Sequence, residues 1–94
     1  MYSLGLNKIL YQSRDFQSGK DVYIMLWNPY GKKSNKFYFK DNGDGIYYLN
    51  IKFNYSGSYL GRLYENDIYV GSKIFTVNNY NSVIVPYIEK IEEW

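Results

Sequence analysis

Apolar residues recur at every second position along most of the chain, a period that belongs to β-strands rather than helices. Within residues 21–27, Val22, Ile24 and Leu26 share one face, while Tyr23, Met25 and Trp27 share the other. With a methionine and a tryptophan on it, that second face is not wholly wet. Residues 46–53 carry the cleanest alternation: Tyr47, Leu49, Ile51 and Phe53 interleave with Tyr48, Asn50 and Lys52. A one-residue slip there would invert every side chain, so the pattern pins the register with Tyr47, Leu49 and Ile51 inside. Weaker signals surround these two. Residues 8–11 make a short first strand, and residues 36–40 a short strand with lysines at both ends. Residues 58–64 place Tyr59 and Leu63 inward, and residues 68–77 read as a strand interrupted at Gly71-Ser72, where a glycine marks a bulge or a close backbone approach.

Turn residues punctuate the strands. Asn28-Pro29-Tyr30-Gly31 combines a fixed φ with a glycine free to adopt positive φ, and Asp41-Asn42-Gly43-Asp44-Gly45 contains the Asn-Gly pair of a type I′ hairpin. Asn54-Tyr55-Ser56-Gly57 and Glu65-Asn66-Asp67 complete the series. Six or seven short strands with turns about every 8–12 residues predict an all-β sandwich or small barrel. No helical period precedes residue 78. The pattern divides the chain into a β-domain over residues 1–77 and a tail over residues 78–94. That tail opens on the polar linker Asn78-Asn79-Tyr80-Asn81 and ends in a stretch where Tyr87, Ile88, Ile91 and Trp94 would line one side of a helical turn or two.

The order of these motifs resembles filamin-type immunoglobulin repeats. Residues 22–27 followed by Asn28-Pro29-Tyr30-Gly31 are similar to a strand ending in a D-P-x-G turn. Asp41-Asn42-Gly43-Asp44-Gly45-Ile46-Tyr47 resembles their D-x-G-D-G-T-Y run, Ser56-Gly57-Ser58-Tyr59 their x-G-x-Y, and Gly71-Ser72-Lys73-Ile74-Phe75 their G-S-P-F. The likeness covers residues 17–77 and implies an immunoglobulin-like β-sandwich of about seven antiparallel strands. It further implies a peptide groove beside the third and fourth strands, residues 36–40 and 46–53. Two departures stand out: Lys73 replaces the proline with Ile74 inserted after it, and only one repeat is present. Similar modules occur in phage and bacterial structural proteins.

Composition sharpens the picture. In 94 residues there are 13 tyrosines, 5 phenylalanines and 2 tryptophans but no cysteine or histidine. A chain of this size buries about 60–65% of its unfolded surface, so large aromatics must fill the core efficiently. Without cysteine there is no disulfide, no thiol nucleophile and no Cys/His zinc site; without histidine there is no Ser–His pair. The acids Asp15, Asp21, Asp41, Asp44, Glu65 and Asp67 sit at predicted turns and strand ends, where acids normally go. Counted from Asp41 as a calcium loop, the third and fifth positions are Gly43 and Gly45, which supply no ligand. No Gly-rich phosphate loop opens onto a helix. The reading is therefore a non-enzyme without cofactor or metal.

Partners are the remaining question. Net charge is +2, with ten basic and six acidic residues before residue 78 and one basic against three acidic after it. Lys32 and Lys33, followed by Lys36, Phe37, Tyr38, Phe39 and Lys40, join lysines to aromatics, the ingredients of single-strand nucleic-acid binding. Lysines beside a short edge strand also block edge-to-edge aggregation, and such a strand accepts a partner strand. Tyr23, Trp27, Tyr48, Tyr64 and Tyr69 are expected to face outward, as interface aromatics do. The favoured reading is a structural or adaptor module that binds protein partners, copies of itself included, through residues 36–40 and through Tyr87, Ile88, Ile91 and Trp94. Nucleic acid is the disfavoured partner. Neither a leader pattern nor a run of about 20 apolar residues is seen, so no membrane insertion is expected and a virion or cytoplasmic location fits. The apolar tail is expected either to fold back over the outward aromatics of its own sandwich or to cross to a neighbouring subunit, the neighbour being favoured.

Overall fold

The computed structural model describes residues 2–81 and 91–92. It is all-β, and no helix occurs among the described residues. The strands are β1 (Tyr2–Gln12), β2 (Val22–Trp27), β3 (Phe37–Tyr38), β4 (Lys40–Asp41), β5 (Ile46–Phe53), β6 (Gly57–Glu65), β7 (Ile68–Asn81) and β8 (Ile91–Glu92). They form one mixed sheet in the order β3-β2-β6-β7-β1-β5-β4, with β8 added to β1. The antiparallel arrangement expected from the sequence is thus corrected at two places, because β1 pairs in parallel with both β7 and β8.

Two segments bend this sheet around its own core. The first is β1, which pairs with β7 through Tyr2 to Leu4 and with β5 from Gly5 onward. A register shift lies between Ser3 and Leu4, and Gly5 adopts a φ of 92°, a value an L side chain resists. The Asn7 amide donates to the carbonyls of Ser3 (2.8 Å) and Gly5 (2.9 Å), holding the bend. Tyr2 and Leu4 pack against the core on even positions, whereas Ile9 and Tyr11 enter it on odd ones. That change of parity hides the first half of the strand from a period-two reading, which is why residues 8–11 alone stood out.

The second bend is at residues 37–41. β3 pairs with β2, the Phe39 N–H donates to the Val22 carbonyl (2.9 Å), and β4 then pairs with β5. The expected single strand over residues 36–40 is therefore two short ones with a crossing between them. Phe39 sits at the crossing and is buried against Tyr11.

Inside, the predicted faces hold. Val22, Ile24, Leu26, Tyr47, Leu49, Ile51, Phe53, Tyr59, Leu63, Phe75 and Val77 form the core, while Asn50 and Lys52 are exposed. The Tyr59 hydroxyl meets both the N–H and the carbonyl of Tyr55 at 3.2 Å, the geometry of a tyrosine corner. The Tyr47 hydroxyl donates to the Gln17 carbonyl at 2.8 Å. Gly61 faces the Phe75 ring and Ile24 so closely that a Cβ would come within 2.6 and 2.8 Å of them.

Turn chemistry departs from expectation in one hairpin. The Asn42 N–H donates to the Ile46 carbonyl, and positive φ falls on Gly43, Asp44 and Gly45 rather than on the Asn-Gly pair. The Asp41 carboxylate accepts from the N–H groups of Gly43 (2.9 Å) and Gly19 (2.7 Å), which holds it below the usual carboxylate range. Asp41 is a turn brace. The interruption expected at Gly71-Ser72 is a bulge inside a continuous β7, where Leu63 pairs with Gly71 and Tyr64 with Tyr69. β7 also runs through Asn78 to Asn81, so the predicted linker is strand.

Candidate functional site

Residues 36–40, singled out from the sequence, do not form one surface. Phe39 belongs to the core, and Phe37 packs partly against it. Lys36 and Tyr38 turn to the outer face of the sheet, where the Lys36 ammonium sits 4.6 Å from the centre of the Tyr23 ring and Tyr38 is exposed. Lys40 is exposed on β4. Alternation of side chains along an extended segment separates these neighbours, because successive residues must point opposite ways.

What Phe37 does join is a groove between β5 and the segment that follows β2. This cleft of about 260 Å³ has Leu26, Phe37, Ile51, Phe53 and Tyr59 in its lining, with Lys32, Lys33 and Lys52 exposed around it. Its volume is below the roughly 300–1,000 Å³ of small-molecule sites. On the β2 side the backbone is already occupied. The Ser34 N–H donates to the Leu26 carbonyl (2.7 Å), and the Leu26 N–H donates to the Ser34 hydroxyl (3.0 Å). Asn28 braces that loop by accepting from the N–H groups of Tyr30 and Lys32, each at 2.9 Å.

The β5 side is different. Because the Ile46 carbonyl accepts from Asn42, the even residues of β5 direct their N–H and C=O groups away from β1. β4 covers this edge only at Tyr47 and Tyr48. Among the described residues no strand meets the backbone of Asn50 or Lys52 on that side. Among the described residues, a length of unpaired edge therefore runs beside a cleft of mixed apolar and polar lining.

The outer face of β3, β2, β6 and β7 carries a second feature. Tyr38, Tyr23, Tyr64 and Tyr69 are direct cross-strand neighbours. Their ring centres are separated by 5.4, 5.0 and 5.8 Å in turn, with Tyr23 and Tyr64 stacked at 12°. The Arg62 guanidinium lies between the Trp27 ring (5.8 Å) and the Tyr69 ring (5.6 Å), and Lys33 lies over Trp27 (5.7 Å). Tyr23 was expected to face outward. It does lie on the outer face, yet its neighbours leave it only 5% exposed, and its hydroxyl donates to Asp67 at 3.0 Å. Tyr38 and Tyr69 remain open at the two ends of the row.

A polar cluster closes one end of the molecule, and no sequence motif announced it. The buried Ser13 hydroxyl lies 2.7 Å from Asp15 and 3.2 Å from Glu65, and Lys20 reaches Ser13 (3.1 Å), Asp15 (2.6 Å) and Glu65 (3.5 Å). A lysine beside a serine can serve as a base only when it is neutral. Here the Asp15 carboxylate pushes the Lys20 ammonium up from its ordinary value and holds it protonated, while Asp15 is pulled down to about 2 by the same contact. Burial, and then Glu65, push the Tyr11 phenol up. The cluster is a clamp that ties the end of β1 to the end of β6.

Of the tail residues, Tyr87, Ile88 and Trp94 lie outside the described residues. Ile91 lies in β8, where Leu10 pairs with Ile91 and Tyr11 with Glu92 on the side of β1 opposite β5. At residues 91–92 the tail pairs with its own chain. Set beside family models, curated proteins and solved structures, the chain finds no match in any of the three.

Proposed function

We propose that the chain is a non-catalytic binding module of immunoglobulin-like architecture that takes an extended segment of a protein partner at the free edge of β5. The edge at Asn50 and Lys52, unpaired among the described residues, beside a cleft that offers Leu26, Phe37, Ile51 and Phe53 carries this reading. Strand addition draws affinity from backbone hydrogen bonds and specificity from pockets for alternate side chains, and both ingredients adjoin here. The cleft has room for one or two apolar side chains, and the surrounding lysines disfavour pairing between two copies of the same edge. Support for the immunoglobulin-like comparison comes from the tyrosine corner.

Proline provides the test. An edge residue whose N–H faces outward tolerates proline, but an added strand loses that donor. Peptides selected from a random display library on the wild-type protein should lose at least tenfold in affinity for Lys52→Pro, with the fold retained by circular dichroism. Amide exchange at Asn50 and Lys52 should slow in the complex. Binders that ignore the substitution and leave both amides unprotected would remove the proposal.

A further inference from the structure

The outer face of β3, β2, β6 and β7 is positively charged as well as aromatic. Lys33, Lys36 and Arg62 each rest against a ring, and none has a carboxylate within ion-pair distance among the described residues. Four of the six acids before residue 78 have other hydrogen-bond or ion-pair partners, Asp67 on this same face. Asp15 and Glu65 meet Lys20, Asp41 braces its turn, and Asp67 accepts from the Tyr23 hydroxyl. Among the described residues, three cations on one sheet face thus have no carboxylate as an ion-pair partner.

We propose that this face docks an acidic segment of a protein partner, whose carboxylates pair with Lys33, Lys36 and Arg62. Two observations choose carboxylates over the bases of a single-stranded nucleic acid. Bases stack on open aromatic faces. Here the Tyr23 ring is covered by Tyr64 on a parallel stack and approached by Lys36, and Trp27 is approached by both Lys33 and Arg62. What this central part of the face offers is charge. The cations are also held in place before any partner arrives, since the rings restrict long side chains that would otherwise lose rotamer freedom on binding. This surface is distinct from the β5 groove, although Lys33 adjoins both.

A fluorescein-labelled peptide of alternating Glu and Gly tests the idea by anisotropy at about 0.15 M salt, alongside an oligothymidine of similar length. The expected result is saturable binding of the acidic peptide that weakens at least tenfold in Lys33→Gln/Lys36→Gln and again in Arg62→Gln. The double change Lys8→Gln/Lys40→Gln, which removes the same charge from elsewhere, should leave it within about twofold. On the wild-type protein, the Trp27 indole N–H and the amides of β2 and β6 should shift in NMR spectra on titration, a readout independent of whether any variant folds. Any of four results overturns the proposal: no saturable binding, equal losses in both double variants, shifts confined to β5, or oligothymidine binding where the peptide does not. Because the readouts fall on different strands, this surface and the β5 groove stand or fall separately.

Discussion

The hairpin glycines Gly43 and Gly45 offer a matched pair for testing how the turn is built. Both have positive φ, 87° and 74°, so alanine at either position pays about 1–2 kcal/mol for the left-handed backbone, offset by roughly 0.4–1 kcal/mol of lost unfolded-state freedom. Their surroundings differ. A Cβ on Gly43 meets nothing within 4 Å, whereas one on Gly45 would lie 2.5 Å from the carbonyl carbon and Cα of Phe16 and 2.9 Å from the Gln17 nitrogen. Those are backbone atoms, so the loop after β1 must move by about 1 Å to restore a normal carbon–carbon contact. Moving it strains the Ser13 N–H bond to the Gly45 carbonyl (2.8 Å) and the Gly45 N–H bond to the Ser18 hydroxyl (3.2 Å), each worth about 0.5–1.5 kcal/mol. Overpacking adds roughly 1–3 kcal/mol. Gly43→Ala should therefore cost about 1 kcal/mol and Gly45→Ala about 3–5 kcal/mol. With a urea slope of about 2 kcal/mol per M, the midpoint falls by roughly 0.5 M in the first and by more than about 1.5 M in the second. Equal shifts of the two midpoints would refute the close approach of the loop.

Three further outcomes follow from the same geometry. Leu49→Ala, inside the core, should cost about 2–5 kcal/mol in a denaturant titration and the exposed Lys52→Ala under about 0.5 kcal/mol; equal costs would mean the register of β5 is wrong. Tyr59→Phe should lose about 0.5–1.5 kcal/mol by removing the corner hydroxyl, and an unchanged thermal midpoint would show that those 3.2 Å contacts contribute nothing. Asp15 has its folded pKa lowered to about 2 against an ordinary value near 3.8, so its contribution is complete above about pH 4 and lost as pH falls towards 2. Asp15→Asn should flatten the acid limb of a melting-temperature profile, leaving the residual slope that the lowered Asp41 sustains; an unaltered limb would exclude Asp15 from the clamp.

Period-two alternation by itself determined the all-β class, the inward faces of β2 and β5, and the burial of Tyr47, Tyr59 and Leu63, because each depends only on neighbours along one strand. The tyrosine corner adds a contact local in sequence, since Tyr59 reaches back only four residues to Tyr55. Long-range pairing was not. No local signal says that β1 changes partner at Gly5, that residues 37–41 cross between β2 and β5, or that Ile91 and Glu92 join β1, for these are choices among edges distant in sequence. The lysine–aromatic run at residues 36–40 looked like one site, and only tertiary structure could distribute it among the core, the groove and the outer face. The edge of β5 that is unpaired among the described residues was invisible for a physical reason as well. A strand edge consists of backbone groups that every residue carries, and whether they are free depends on where another strand ends. Likewise the tyrosine row comes together from four strands, with cations from β6 and from the segment between β2 and β3, and the register across the sheet, rather than any spacing along the chain, decides which rings meet.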